Sequence, residues 1–132
     1  METLSKKEKQ EITDKLGEQV IVFRDRALSI RMNWATGKSI NPVMRMQYAE
    51  LSELTEKQYE LVCNLLSSAI SGTIYSFLEM IEENQDWMKL LIKNKGIEYD
   101  LCQVSEKMGS EIVDATNTGW IPKFSKVGRL IL

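Results

Sequence analysis

The chain has 132 residues, a formal net charge of −2 and a composition of 43% hydrophobic and 27% charged residues, as expected for an ordinary globular protein. It contains no histidine, which excludes Ser-His-Asp and Cys-His catalysis and zinc sites with His ligands. The mild acidity also argues against a general affinity for nucleic acid, because phosphate binding depends mainly on Lys and Arg.

The first predicted element is a long helix that begins near Ser5 and ends by Gly37. Glu8 follows Ser5 at the spacing of a capping box, and a glycine often follows the last residue of a helix. Gly17 lies inside this helix at a cost of about 1 kcal/mol relative to Ala, so we expect a gentle bend there. Apolar residues recur at spacings of three and four and are predicted to form its buried stripe: Ile12, Leu16, Val20, Phe23, Ala27, Ile30 and Trp34.

A shorter second helix is predicted to begin at Pro42, a residue that suits the first helical position, and to carry Val43, Met46, Tyr48 and Leu51. Thr55 and Gln58 repeat the capping-box spacing before a third, long helix that should run to about Asn84. The apolar stripe of this third helix is predicted at Tyr59, Val62, Leu66, Ile70, Thr73, Phe77 and Met80.

Asp86 is expected to cap a short fourth helix with Trp87, Leu90 and Leu91, ending at Asn94 or Gly96. A fifth, less regular helix should carry Tyr99, Leu101, Val104, Met108, Ile112 and Ala115. Past Asn117 the tail is predicted to be extended or to form a last short helix packed on the body. Its aromatic residues should then fill the end of the core while its lysines face water; the alternative is an arm for a partner or a membrane surface.

These elements predict an all-α fold: a single-domain helical bundle of about five helices with two long helices and an irregular C-terminal tail, spanning residues 1–132. No convincing strand alternation is present. We expect Cys63 and Cys102 to be free, buried thiols, since two cysteines are too few for a four-cysteine metal site. The first ten residues are polar where a secretory signal needs an apolar run, so we expect a cytoplasmic protein.

The third predicted helix has no charged residue from Leu61 to Leu78, close to the lower limit for a membrane span. Polar residues within this run and glutamates on both flanks favour instead a central helix surrounded by the others. The small residues from Ser67 to Thr73 are then predicted to let another helix cross closely.

The densest charge cluster follows this run, where Glu79, Glu82, Glu83 and Asp86 are spaced to line one helical face. A di-iron carboxylate site needs Glu-x-x-His, which this chain cannot supply, and the order of residues is not that of a calcium-binding EF-hand loop. We therefore predict no catalytic residue, no metal and no cofactor. The cluster is either a solvated helix face or a surface for a basic protein partner.

A second charged set lies on the first helix, where Arg24, Arg31 and Lys38 are spaced by seven. Together with Arg26 they are predicted to form a basic strip on the outer side of that helix. Direct nucleic-acid binding is not expected, because Asp25 is intermingled and the chain is acidic overall. Internal salt bridges to the acidic third helix would explain the same residues without any partner.

In its size, helical class, acidity and lack of catalytic groups, the chain resembles the small acidic helical immunity proteins of bacterial contact-dependent toxin systems. The resemblance implies a cytoplasmic, non-catalytic protein that binds and occludes a cognate toxin, with a basic nuclease as the candidate. The carboxylates from Glu79 to Asp86 would compete for the nuclease surface that meets phosphate, and an exposed Trp or Tyr would supply affinity. The alternative function is a structural or regulatory bundle that self-associates through an exposed part of the first-helix stripe.

Overall fold

The computed structural model describes residues 4–112 and 119–127. Two long antiparallel helices dominate these ranges, so the fold is an all-α bundle with one small sheet. The α-helices are α1 (Lys6–Ala35), α2 (Pro42–Gln47), α3 (Glu56–Glu83), α4 (Leu101–Val104) and α5 (Trp120–Phe124). The two strands are β1 (Leu91–Asn94) and β2 (Ile97–Asp100), and two 3-10 helices span Ala49–Glu53 and Met108–Glu111.

Both long helices begin where the sequence predicts, because their start signals are local. Ser5 Oγ accepts a hydrogen bond from Glu8 N at 3.1 Å, which satisfies one of the free N–H groups of the first turn. At the start of α3, Thr55 Oγ1 accepts from Gln58 N at 3.2 Å and Gln58 Oε1 accepts from Thr55 N at 2.9 Å. This reciprocal pair is a complete capping box. The predicted second helix also begins at Pro42, but it stops at Gln47 and continues as the first 3-10 helix.

The predicted fourth helix is wrong, since β1 and β2 form an antiparallel hairpin in its place. Leu91 pairs with Asp100 and Asn94 with Ile97. The turn residues Lys95 and Gly96 have φ angles of 51° and 80°, and positive φ at both central positions is what a two-residue hairpin turn of type I′ requires. A short apolar run before such a turn suits a strand as well as a helix, and the turn decides the outcome.

The predicted fifth helix is reduced to two short turns. Asp100 Oδ1 accepts from Cys102 N at 3.0 Å and caps α4, but α4 ends at Val104. Met108 then has a positive φ of 42°, which a continuous helix cannot contain. The second 3-10 helix follows, and Ala115 of the predicted helix lies outside the described residues.

α1 and α3 pack through faces that apolar spacing does not predict. Arg24 of α1 contacts Ser67 and Ser71 of α3, and further along Met32 contacts Cys63. The buried positions of α1 are Ile12, Thr13, Gly17, Ile21, Arg24, Leu28 and Ala35. Those of α3 are Cys63, Ser67, Ser71, Leu78 and Ile81. Except for Ile12, no member of the two predicted stripes is among them.

The prediction that α3 is surrounded by other helices is therefore wrong. Leu61, Leu65 and Phe77 are all more than half exposed. The prediction of a close crossing at the small residues holds only in part: Ser67 and Ser71 are buried against Arg24. Gly72, in contrast, faces open space, and a Cβ atom added there would have no neighbouring atom within 4 Å.

The hydrophobic core lies where α1, the C-terminal end of α3 and the tail meet. It consists of Ile21, Leu78, Ile81, Leu101, Met108, Ile112, Trp120 and Ile121. Residues 119–127 of the tail fold back as predicted, with Trp120 buried and Lys123 at the surface in an ion pair with Asp14. The Trp120 ring lies directly on Gly17, where a Cβ atom would collide with it. Close approach of the indole is therefore what requires glycine at this position.

Candidate functional site

The predicted acidic cluster lies at the C-terminal end of α3, but its four carboxylates do not share one helical face. Because α3 ends at Glu83, Asp86 lies in the turn that follows. Glu79 is half-buried, and its Oε1 accepts a hydrogen bond from Gly109 N at 3.1 Å. Glu82, Glu83 and Asp86 are exposed. The structure thus leaves three carboxylates at the surface and gives Glu79 a role in holding the second 3-10 helix.

Trp87 lies in the same turn, and its aromatic side chain is exposed. The sequence predicts this residue in a short helix. Its side chain is 69% exposed, yet its Nε1 donates to Asn84 Oδ1 at 3.1 Å. Asn84 is the C-cap of α3, and its Nδ2 donates to the Met80 carbonyl at 2.7 Å. The indole is therefore tethered to the helix end while its faces remain in water. An Asn three residues before Trp at the end of a helix is the signal that would have found it.

One carboxylate at the end of α3, Glu82, also acts on the Cys102 thiol of α4. Burial raises the pKa of the Cys102 thiol, and the negative charges of Asp100 and Glu82 raise it further. Both cysteines are free, as predicted, but of the two only Cys63 is buried as expected, and Cys102 is half-buried. A thiol with a raised pKa is a poor nucleophile at neutral pH, so Cys102 has the properties of a packing residue.

The predicted basic strip on the outer side of α1 is wrong at its first residue, Arg24. Arg24 is only 1% exposed, and its guanidinium donates to Ser67 Oγ at 2.8 Å, Ser71 Oγ at 3.2 Å and Ser125 Oγ at 3.2 Å. Its ion pair is with the adjacent Asp25 at 2.8 Å, so the partners on α3 are hydroxyls and not carboxylates. The remaining members of the strip, Arg26, Arg31 and Lys38, are exposed.

A pocket of about 60 Å³ lies between the start of α1 and the second 3-10 helix. Its lining includes Lys6, Lys9, Lys107 and Glu111. Small-molecule sites usually have volumes of roughly 300–1,000 Å³, so this pocket has room for water and not for a substrate. Over residues 4–112 and 119–127, no group of three or more Cys, Asp or Glu side chains is placed to hold a metal ion.

Length and apolar composition alone would allow α3 to cross a membrane. However, one face of α3 presents Ser67 and Ser71 to the buried Arg24, and both ends of the helix carry glutamates. Of the most apolar stretch of α3, 22% is buried within the described part of the chain. The structure is compatible with a soluble protein.

No protein-family model, curated protein or solved structure matches this chain. Its own surface is therefore the basis for a functional assignment. The features of that surface that bear on function are the tethered Trp87 with its neighbouring carboxylates and the exposed apolar side chains of the two long helices.

Proposed function

We propose that this chain is a non-catalytic protein-binding domain that recognises a basic protein surface through Trp87 and the neighbouring carboxylates. The observation that carries this proposal is the exposed indole of Trp87, which is held in place by Asn84. Tryptophan is enriched among the few residues that supply most of the binding energy of an interface. A side chain that is already hydrogen-bonded also loses less conformational entropy when a partner binds than a free one does.

The charges beside this anchor define the chemistry of the partner. Glu82 and Glu83 form the last turn of α3, Asp86 directly precedes Trp87, and all three are exposed. A basic partner surface would be attracted by these charges, which mainly raises the rate of association and makes it sensitive to salt. Trp87, the apolar anchor, would thus supply affinity, and the three exposed carboxylates Glu82, Glu83 and Asp86, which we call the acidic rim, would select a basic partner.

A cognate toxin with nuclease activity is the partner that best fits this chemistry, and the chain would act in the cytoplasm as its immunity protein. A nuclease is positively charged where it meets the phosphate backbone, so an acidic surface can cover that region and block access. The small size, helical fold and mild acidity of the chain support this assignment.

The assignment is tested by expressing a tagged copy together with its native neighbouring genes and purifying it at low and at moderate salt. A stoichiometric, basic companion whose expression alone is toxic is the expected result. Retention at low salt and loss at moderate salt would point to the acidic rim. A chain that returns without a companion under both conditions would count against the proposal.

Once a companion protein has been identified, two variants test where it binds. Trp87→Ala is expected to weaken binding by about 30-fold or more, the effect of losing roughly 2 kcal/mol at a central anchor. Glu82→Lys with Glu83→Lys should slow association, because attraction becomes repulsion. Glu60→Lys is the matched control, since this exposed glutamate lies near the opposite end of α3. Equal loss of binding in the control would remove this surface from the interface.

A further inference from the structure

The apolar stripe of α1 has the spacing of a coiled-coil seam that α3 does not occupy. From Leu16 to Trp34 its members alternate steps of four and three residues, which is the heptad pattern of helices that pair along one side. The residues of α1 that are buried next to the stripe each follow a stripe residue by one position: Ile21, Arg24, Leu28 and Ala35. One position is a rotation of about 100°, so the seam is turned away from the direct contact with α3.

The apolar stripe of α3 is offset in the same way. The buried residues Cys63, Ser67, Ser71 and Leu78 each follow one stripe residue: Val62, Leu66, Ile70 and Phe77. On both helices the stripe precedes the buried residues by one position, so each stripe is rotated by about 100° in the same sense about its own helix axis. Because α1 and α3 run antiparallel, this rotation turns both stripes to the same side of the helix pair. We call this surface the open face, and it comprises Val20, Phe23, Ala27 and Ile30 of α1 with Val62, Leu66, Ile70 and Phe77 of α3.

The middle of the open face is uncovered. Phe23 is 68% exposed and Phe77 is 53% exposed, while the other members are half-buried or, for Ile30, exposed. At one end of α1, Leu16 and the first member of the open face, Val20, pack against the hydrophobic core. At the other end, Trp34 stacks on Tyr48 with ring centroids 5.7 Å apart. The stripe is therefore covered at its ends and open between them.

We propose that the open face is the interface of a homodimer, in which two copies of the α1–α3 pair form a four-helix bundle. A two-fold axis brings each surface against an identical one, so a charge near that axis would meet a like charge. None of the eight side chains of the open face is charged, and the surface is therefore compatible with itself. The acidic end of α3 lacks this property.

The size of the open face fits a weakly held second copy. Along α1 the open face runs from Val20 to Ile30, about 15 Å, along α3 it runs from Val62 to Phe77, about 22 Å, and a helix pair is about 20 Å wide. The open face then covers roughly 400 Å² in each copy, or about 800 Å² in the dimer. Interfaces of this size are typical of weak, transient association, so we expect a weak dimer that forms in the micromolar concentration range.

The proposal is tested by measuring the mass of the purified full chain by sedimentation equilibrium between about 1 and about 200 μM, a range that brackets micromolar affinity. The expected result is a concentration-dependent rise from the monomer mass of 15.2 kDa toward twice that value. A mass that stays at the monomer value over the whole range would overturn the proposal.

Three variants place the contact on the open face. Phe23→Glu and Phe77→Glu should each raise the dissociation constant at least tenfold, because each would bury a carboxylate in the interface with the other copy of the chain, which carries the same substitution. Leu65→Glu is the matched control. Leu65 is 71% exposed and lies two positions before Ser67, which turns it about 200° from the contact with α1. It should leave dimerisation unchanged, and helix content by circular dichroism should be the same in all three variants.

Two further results would also reject the homodimer. Equal loss of dimer in Leu65→Glu would show that the association does not depend on the open face. Flotation of the monomeric chain with phosphatidylcholine–phosphatidylglycerol vesicles, abolished by Phe23→Glu, would assign the same residues to a lipid surface. Trp87→Ala should dimerise like the unmodified chain, so failure of the dimer proposal and failure of the partner proposal are separate outcomes.

Discussion

Replacing Arg24 by Met tests whether hydrogen bonds to a buried guanidinium hold α1, α3 and the tail together. Methionine fills a similar volume but donates no hydrogen bond. The hydroxyls of Ser67 and Ser71 would lose their donor, and Asp25 would lose its cation. The apolar spacing of the two helices gives no reason to expect such an effect, so the result distinguishes between the two accounts of the helix contact.

The magnitude follows from what remains after the substitution. Asp25 keeps its hydrogen bonds from Ser125 Oγ at 2.9 Å and Lys126 N at 2.9 Å, and its side chain is 14% exposed. The stability lost at Asp25 is therefore smaller than the roughly 3–5 kcal/mol that is lost when one partner of a fully buried ion pair is removed. With about 1 kcal/mol or more for each orphaned hydroxyl, we expect the free energy of unfolding to fall by about 3 kcal/mol. The corresponding fall in Tm is about 10 °C.

The assay is urea unfolding followed by circular dichroism, with Arg26→Met as the matched control. Arg26 lies on the same helix but is exposed, so its substitution should change stability by less than about 0.5 kcal/mol. Adding Ser67→Ala and Ser71→Ala to Arg24→Met should recover part of the loss, because hydroxyls without donors are removed. A loss below about 1 kcal/mol for Arg24→Met, or no recovery in the combined variant, would refute this reasoning.

Two more predictions concern local packing and local charge. Gly17→Ala should destabilise the protein by about 1–3 kcal/mol in thermal unfolding, since the new methyl group collides with Trp120. The control is Gly72→Ala at an exposed position of α3, which should stabilise the protein by up to about 1 kcal/mol. Equal effects of the two substitutions would contradict the contact between Gly17 and Trp120. Burial and nearby carboxylates, among them Glu82, raise the pKa of Cys102. Glu82→Gln should therefore lower that pKa and speed the alkylation of Cys102 by iodoacetamide at pH 8. An unchanged alkylation rate would contradict this prediction.

Local signals in the sequence were sufficient to predict the starts of the long helices but not their buried faces. Ser5 and Thr55 cap helices through residues three positions away, and such spacing is visible in the chain itself. The helix contact depends on Arg24 with hydroxyls 43 and 47 residues away. Apolar periodicity cannot detect a polar contact over that distance. It therefore predicts that the two stripes are buried, whereas the structure leaves them partly exposed.

The candidate site was predicted in part. Glu82, Glu83 and Asp86 are exposed at the end of α3, but Glu79 is bonded to Gly109, 30 residues later. The sequence predicts Trp87 in a short helix, because the glycine of the hairpin turn, Gly96, is also typical of a helix end. Once the hairpin is known, the segment from Asn84 to Trp87 becomes a turn that presents the indole.

The docking of Trp120 on Gly17 has a consequence for the way the chain folds during synthesis. The contacts of the tail with α1 span very long stretches of chain, 101 residues for Arg24 with Ser125 and 109 residues for Lys123 with Asp14. Contacts of such high sequence separation form late and slow the folding of a domain. Until residues 119–127 have been synthesised and have docked, the surface of α1 at Gly17 lacks its Trp120 cover, and apolar surface that is exposed in this way during folding favours aggregation.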